Sequence, residues 1–188
     1  MAIFFFSAKS NYEHNKQQNQ PGPGQYINGQ GSYGHFKYGA YASDYNGCGW
    51  IAIYNALIAM ELYLSPADII YWLEANKKLF VAGMFGTKVS AIKAFLKAPG
   101  LSVQKKRGSK NLDEIIKASG VFVLEYFYTK KTFPFAGMHF VTIRYNQANQ
   151  KYYIYNLYSN RFVPDISVSV NQWLADKKRI YITGLIVS

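Results

Sequence analysis

The single cysteine of the chain, Cys48, is the residue best suited to nucleophilic chemistry. It lies between Gly47 and Gly49, and an almost unbroken apolar run follows it. A thiol at the first residue of a helix feels the positive end of the helix dipole, which favours the thiolate. The flanking glycines leave the sulfur open to a substrate backbone. The alternative is an inert core residue, because free cysteine is among the most buried residue types.

A thiol nucleophile needs a base, and the chain has three histidines. His14 and His35 lie in a polar N-terminal stretch, where surface histidines are common. His139 begins the segment HFVTIRYN, whose composition predicts a strand. It is therefore the candidate base. The alternative for His139 is a residue at the sheet rim, bonded to a neighbouring carbonyl.

The segment NQANQ, residues 146–150, predicts a hairpin turn between this strand and the next, KYYIYNLYS. A two-residue loop, 147–148, or a four-residue loop, 146–149, places His139 directly opposite Asn156. Opposed residues share a face, so Asn156 would accept a hydrogen bond from the imidazole and leave the other ring nitrogen for the thiol. A loop of three or five residues would break this register, and Asn156 would then simply end a strand.

The elements that must position these residues fall into two halves. The run after Cys48 is apolar on nearly every face, which predicts an interior helix over residues 48–62. Ser65 as N-cap and Pro66 after it open a second helix. Two further helices, KVSAIKAFLKA and NLDEIIKAS, flank a short strand, LSVQK. The second half predicts four strands, which are VFVLEYFY, HFVTIRYN, KYYIYNLYS and RIYITGLIV. A late helix, VNQWLAD, precedes the last of these strands. This segregation is typical of an α+β fold with an antiparallel sheet.

A cysteine opening a buried central helix, followed after a long interval by a strand-borne histidine and then an asparagine, resembles the papain-like cysteine peptidases. NGCGWIAIYNAL, GTKVSAIKAFLKAPG and MHFVTIRYNQANQKYYIYN are most similar to the compact bacterial branch, which includes peptidases that cut bacteriocin leaders after a double glycine. The resemblance covers roughly residues 40–160. It implies a papain-like fold in which the central helix carries Cys48 as nucleophile and the sheet carries His139 as base and Asn156 as orienter.

One residue departs from the papain-like pattern. Those enzymes usually place a glutamine six residues before the cysteine to donate to the oxyanion, and this chain has Ala42 there. Asn46 has amide donors and is the candidate in its place, with the backbone N–H of Cys48 as the second donor. Further candidates are Ser43, Gln25 and Gln30.

The function implied by the resemblance is a cysteine peptidase, a thiol hydrolase that cleaves peptide bonds through an acyl-enzyme and needs no metal or organic cofactor. An acyl-transferase or cyclase would use the same Cys48, His139 and Asn156 with an amine as acceptor. A catalytically degenerate papain-like domain that binds an acidic partner is the third possibility, favoured by the missing glutamine and the net charge of +11. The expected partner is a peptide or protein substrate, glycine-containing or acidic.

Composition separates a polar arm, residues 1–40, from a single domain, residues 41–188. The arm is rich in Asn, Gln, Gly and Tyr, contains PGPG, and is expected to contact the cleft as a self-inhibitory or self-cleaved segment. No nucleic-acid motif accompanies the basic clusters, so nucleic acid is not an expected partner. The apolar start is too short for a signal peptide and no run suits a membrane helix, which predicts a cytoplasmic protein, with secretion by another route left open.

Overall fold

The computed structural model describes residues 6–130, 133–157, 160–176 and 178–188. Helices fill the first half of this chain and an antiparallel sheet fills the second, so the predicted α+β class is confirmed. The first five residues of the apolar start, and positions 158 and 159 of the predicted strand KYYIYNLYS, lie outside the described residues.

The five helices that the sequence predicted begin close to their predicted positions. The bounds are α1 Ala8–Lys16, α2 Ser43–Asn46, α3 Cys48–Ala59, α4 Pro66–Ala75, α5 Val89–Lys97, α6 Leu112–Ser119 and α7 Val170–Asp176. Ser65 caps α4 as predicted, because its hydroxyl accepts a hydrogen bond from the backbone N–H of Asp68 at 3.2 Å. Helix α1, which lies inside the polar arm, and the short helix α2 were not predicted.

The strands form a small hairpin and one larger antiparallel sheet. Their bounds are β1 Lys37–Tyr38, β2 Tyr41–Ala42, β3 Val103–Lys106, β4 Val121–Lys130, β5 Phe133–Asn146, β6 Lys151–Tyr155, β7 Asp165–Ser167 and β8 Ile180–Val187. Strands β1 and β2 pair with each other, and the sheet has the order β3-β8-β4-β5-β6-β7. Strands β4 and β5 therefore lie inside the sheet, with hydrogen-bonded neighbours on both sides.

Helix α3 is the central element of the helical half. Every residue from Gly49 to Ile58 is buried, as the run of apolar side chains around the helix predicts. Its neighbours are α4, α5, β4 and β5. The prediction of an interior helix is confirmed, although the helix ends at Ala59 rather than at residue 62.

The sheet separates two apolar cores because side chains alternate along each strand. Val121 and Val123 of β4 pack towards α3, whereas Phe122 and Leu124 pack on the other face against α6 and α7. Strand β5 alternates in the same way, and its residue Thr142 donates a hydrogen bond to a backbone carbonyl of α3 at 2.9 Å. The architecture is three layers: α3 with its helical neighbours, the sheet, and α6 with α7.

The β5–β6 hairpin corrects the predicted register. Asn146 pairs with Lys151, so the loop is residues 147–150 and neither of the predicted loops forms. The side chains of Asn146 and Asn149 each accept a hydrogen bond from the backbone N–H two residues further on. Gln150 closes the turn with a φ of 55°. These local hydrogen bonds stabilise a turn one position later than the four-residue loop that the sequence predicted.

Residues 6–40 of the predicted arm pack along the helical half. Asn11 of α1 donates a hydrogen bond to the Glu74 carboxyl of α4 at 2.8 Å. The Asn55 side chain of α3 satisfies both the N–H and the carbonyl of Ile27, at 2.8 and 2.9 Å. The arm thus completes the core around α3. Within the described ranges, no helix combines the length and the apolar character that crossing a bilayer requires.

Candidate functional site

Cys48 is the first residue of α3, and its partly buried side chain lines a cavity of about 180 Å³. The cavity lies between the start of α3, the loop before α5 and one face of β4 and β5. Its lining residues are Cys48, Phe80, Phe85, Thr87, Lys88, Glu125, Met138 and Phe140. A thiol, a hydroxyl, a carboxyl and an ammonium group therefore border a mainly apolar space.

The two glycines beside Cys48 are required by packing. A Cβ on Gly49 would overlap the side chain of Thr87, and a Cβ on Gly47 would overlap the carbonyl of Ser43. The space that was predicted to admit a substrate backbone is therefore filled by protein atoms. A substrate must reach the sulfur from the cavity instead.

Burial dominates the ionisation of Cys48. It raises the pKa of the thiol to about 11, because a buried thiolate loses its hydration. The backbone N–H groups of Phe140, Gly49 and Cys48 itself oppose this rise by stabilising the thiolate, whereas the negative charge of Glu125 adds to it. The position at a helix N-terminus favours the thiolate less than burial disfavours it, so the thiol is protonated at neutral pH.

His139 lies on the face of the sheet opposite Cys48. Its neighbours Met138 and Phe140 line the Cys48 cavity, and successive side chains of a strand point to opposite faces. The imidazole packs beside the ring of Tyr126, its cross-strand partner, with ring centroids 5.9 Å apart. The structure therefore brings the β5 backbone to Cys48 but directs the imidazole away from the thiol.

His139 and Asn156 are brought together, through the main chain of Asn156 rather than its side chain. Nε2 of the imidazole donates to the Asn156 carbonyl at 2.5 Å. Because a carbonyl oxygen only accepts, Nε2 carries the proton and Nδ1 remains as the acceptor. Burial lowers the pKa of His139 and the positive charge of Arg179 lowers it further, while the carbonyl opposes both. The imidazole is therefore neutral at neutral pH.

The Asn156 side chain faces the N-terminal segment. Its Oδ1 accepts a hydrogen bond from the Gln30 backbone N–H at 3.1 Å, and its backbone N–H donates to Asn28 Oδ1 at 3.0 Å. With a φ of 63°, Asn156 adopts the left-handed conformation that asparagine tolerates well. Hairpin reasoning could not find Asn28 and Gln30, because these contacts join residues 126 and 128 positions apart.

Asn46 holds the loop before α5 against the β1 segment. Its Nδ2 donates to the Tyr38 carbonyl at 2.9 Å and to the Gly83 carbonyl at 2.8 Å. The residue is 4 % exposed. Both amide protons are engaged, so this arrangement leaves none for an oxyanion, the role predicted for Asn46. Of the further candidates, Gln30 donates its amide to the carbonyl of Asp44.

The PGPG segment lies beside the second half of α3. Hydroxyl groups of Tyr54 and Tyr63 donate to the carbonyls of Gly22 and Pro21 at 2.9 and 3.2 Å. Among the described residues, those that line the Cys48 cavity all come from outside the arm. Residues 6–40, the described part of the arm, therefore do not line this cavity.

Glu125 is the cavity residue that sequence reasoning missed. It lies on β4 directly across from Phe140 and faces α3, like Val121 and Val123. Burial raises the pKa of its carboxyl, and the positive charge of Lys105 partly offsets that rise. A signal was present: an acidic residue interrupts the strand VFVLEYFY, and charged residues are rare inside a central strand.

No protein-family model matches the sequence, and no curated protein gives a significant match. In the part of the chain that the structure describes, no group of three His, Cys, Asp or Glu side chains is placed to hold a metal ion.

Proposed function

We propose that the chain is a thiol-dependent acyl-transfer enzyme, a cysteine peptidase of papain-like architecture, with Cys48 as its nucleophile. One observation carries the proposal: the only thiol of the chain borders a cavity at the first residue of a buried central helix. A helix packed on an antiparallel sheet gives the nucleophile a rigid support, which covalent catalysis requires.

The reaction begins when the Cys48 sulfur attacks a substrate carbonyl carbon and its proton passes to a base. The C–N bond then breaks, the leaving amine takes up a proton, and a thioester remains on Cys48. Water adds to the thioester, releases the acid and returns a proton to the sulfur. Backbone N–H groups of Cys48 and Gly49, which already favour negative charge on the sulfur, are the candidate donors to the oxyanion.

The rim of the cavity supports an apolar substrate side chain. Phe80, Phe85 and Met138 line the cavity and are 42 %, 56 % and 42 % exposed, so their apolar surface faces solvent in the free protein. The exposed Lys88 adds a positive charge at the same rim. A peptide with a bulky apolar residue next to an acidic one suits this surface best.

An activated ester tests the nucleophile without knowledge of the natural substrate. The protein is mixed with p-nitrophenyl acetate, p-nitrophenolate release is followed by absorbance, and acetylation of Cys48 is located by mass spectrometry. The proposal predicts many turnovers per protein molecule and their loss in Cys48→Ser. Release that stops at or below one equivalent, or that is equal in Cys48→Ser, contradicts it.

A second candidate is a papain-like domain without catalysis that binds a partner at this cavity. Two observations favour it: the imidazole of His139 lies on the other face of the sheet, and burial raises the thiol pKa to about 11. It predicts acetylation of Cys48 without turnover in the same experiment. The two candidates are therefore separated by a single time course.

A further inference from the structure

The Cys48 cavity contains an acid–base group that the papain-like resemblance does not assign. Glu125 and Phe140 are direct cross-strand partners on β4 and β5, and they share one face of the sheet. The backbone N–H of Phe140 approaches the Cys48 sulfur closely enough to stabilise the thiolate, and Glu125 is near enough to act on it electrostatically. The carboxyl and the thiol therefore border the same small volume.

We propose that Glu125 is the catalytic residue that takes the proton from Cys48 in the acyl-transfer reaction. The inference rests on the proposed function and names the base for it. The geometry favours Glu125 over His139, because Glu125 shares the cavity with the thiol whereas the imidazole faces the opposite core beside Tyr126. Nε2 of His139 is also engaged by the Asn156 carbonyl.

The surroundings of Glu125 suit a proton carrier. Among the described residues, the ionisable groups around it are the Cys48 thiol from α3, Lys105 from β3 and Lys88 from the loop before α5. Burial raises the pKa of Glu125 towards neutrality, which makes its carboxylate a stronger base than an exposed one. The positive charge of Lys105 opposes this rise, because it favours the carboxylate, the form that accepts a proton.

Each proton transfer in the reaction can be assigned to Cys48, Glu125, the leaving nitrogen or water. As the S–C bond forms, the thiol proton of Cys48 passes to the Glu125 carboxylate. The resulting carboxylic acid gives that proton to the leaving nitrogen as the C–N bond breaks. In the second half, the carboxylate takes a proton from water as the hydroxide oxygen attacks the thioester, and it returns the proton to the sulfur. No oxidant, metal or further reactant is needed.

Glu125→Gln tests the assignment with two readouts that move in opposite directions. Turnover of p-nitrophenyl acetate should fall about 10²- to 10⁴-fold, the usual contribution of a positioned base. Alkylation of Cys48 by iodoacetamide at pH 8 should rise about 3-fold or more, because removing a neighbouring negative charge lowers the thiol pKa and increases the thiolate fraction. A residue with only a structural or electrostatic role would not slow turnover while it speeds alkylation.

Two further variants serve as controls for this experiment. Glu114→Gln removes an exposed carboxylate from α6, on the other side of the sheet, and should change neither rate by more than about 2-fold. Glu125→Asp keeps a carboxylate in the cavity and should recover part of the turnover. The urea unfolding midpoint of each variant shows whether the fold is kept. If Glu125→Gln does not fold, the assignment is tested by the turnover of Glu125→Asp.

Two results would show that Glu125 is not the base. If Glu125→Gln and Glu125→Asp keep wild-type turnover while His139→Gln loses it, the imidazole is the base and Glu125 is not. Equal loss of turnover in folded Glu125→Gln and Glu125→Asp also overturns the assignment, since a carboxylate would then restore nothing. A different result would contradict the proposed function: the wild type itself would show no Cys48-dependent turnover. In that case Glu125 is not the base of such a reaction either.

Discussion

Glu74 is a buried carboxyl that makes the stability of the protein depend on pH. It is 4 % exposed on α4, and its Oε1 accepts hydrogen bonds from Asn11 Nδ2 at 2.8 Å and from the Gly39 N–H at 2.6 Å. Oε2 is buried without a partner among the described residues. Burial raises the pKa of Glu74 to about 7 from its usual 4.5, although the two hydrogen bonds oppose the rise.

The sign and size of the effect follow from linkage. Between about pH 4.5 and pH 7 the folded protein binds this proton more tightly than the unfolded chain does. The stabilising contribution is therefore complete below pH 4.5, declines as the pH rises, and is absent above pH 7. A difference of 2.5 pKa units corresponds to about 3 kcal/mol across this window.

Glu74→Gln isolates this contribution, because glutamine keeps the acceptor oxygen and does not titrate. Urea unfolding is followed by tryptophan fluorescence at intervals from pH 4.5 to pH 8, for the wild type and the variant. The stability of the variant relative to the wild type should increase by about 3 kcal/mol from the acid to the alkaline end. All other titrating groups are common to both proteins and cancel in the difference.

The matched control is Glu114→Gln, which removes an exposed carboxylate from α6. Its stability relative to the wild type should stay within about 0.5 kcal/mol over the same pH range. A Glu74→Gln difference that is equally flat would contradict this account, since it would mean that Glu74 ionises normally in the folded protein.

Two other substitutions test packing beside the cavity. Gly49→Ala should lower the free energy of unfolding by about 1–3 kcal/mol, because the new methyl group overlaps Thr87. The control Gly22→Ala has only an ordinary contact with Gln25 at 3.9 Å and should cost little in the same urea titration, and equal losses would contradict the packing account. Asn46→Asp should cost about 3 kcal/mol or more at pH 8, because a buried carboxylate would face two carbonyl oxygens. A loss below 0.5 kcal/mol, with no faster proteolysis of the loop before α5, would show that Asn46 does not anchor it.

The sequence predicted the elements that depend on local pattern. The apolar run after Cys48 required an interior helix, because no surface helix is apolar on every side. The Ser65 cap and the strands VFVLEYFY and HFVTIRYN followed from side-chain preferences that act within a few residues. The segregation of helices and strands then fixed the α+β class.

Two features differed from the sequence prediction, the hairpin turn for a local reason and the role of Asn46 for a long-range one. The hairpin turn formed one position later than predicted, because the side chains of Asn146 and Asn149 favour the loop 147–150. Asn46 was available as a donor in the sequence, but distant carbonyls of Tyr38 and Gly83 engage it in the fold.

The residue types available for chemistry could be read from the sequence: one thiol, three histidines and an apolar helix to support the thiol. Which face of β5 meets that thiol depended on how the sheet packs against α3. His139 and Phe140 are adjacent in the chain, yet a strand sends their side chains to opposite faces. Apolar cores cover both faces of the sheet, so the alternation in the sequence does not reveal which face packs on α3. The packing of Phe140 and Thr142 against the helix made that choice, and it brought Glu125 rather than His139 to the cysteine.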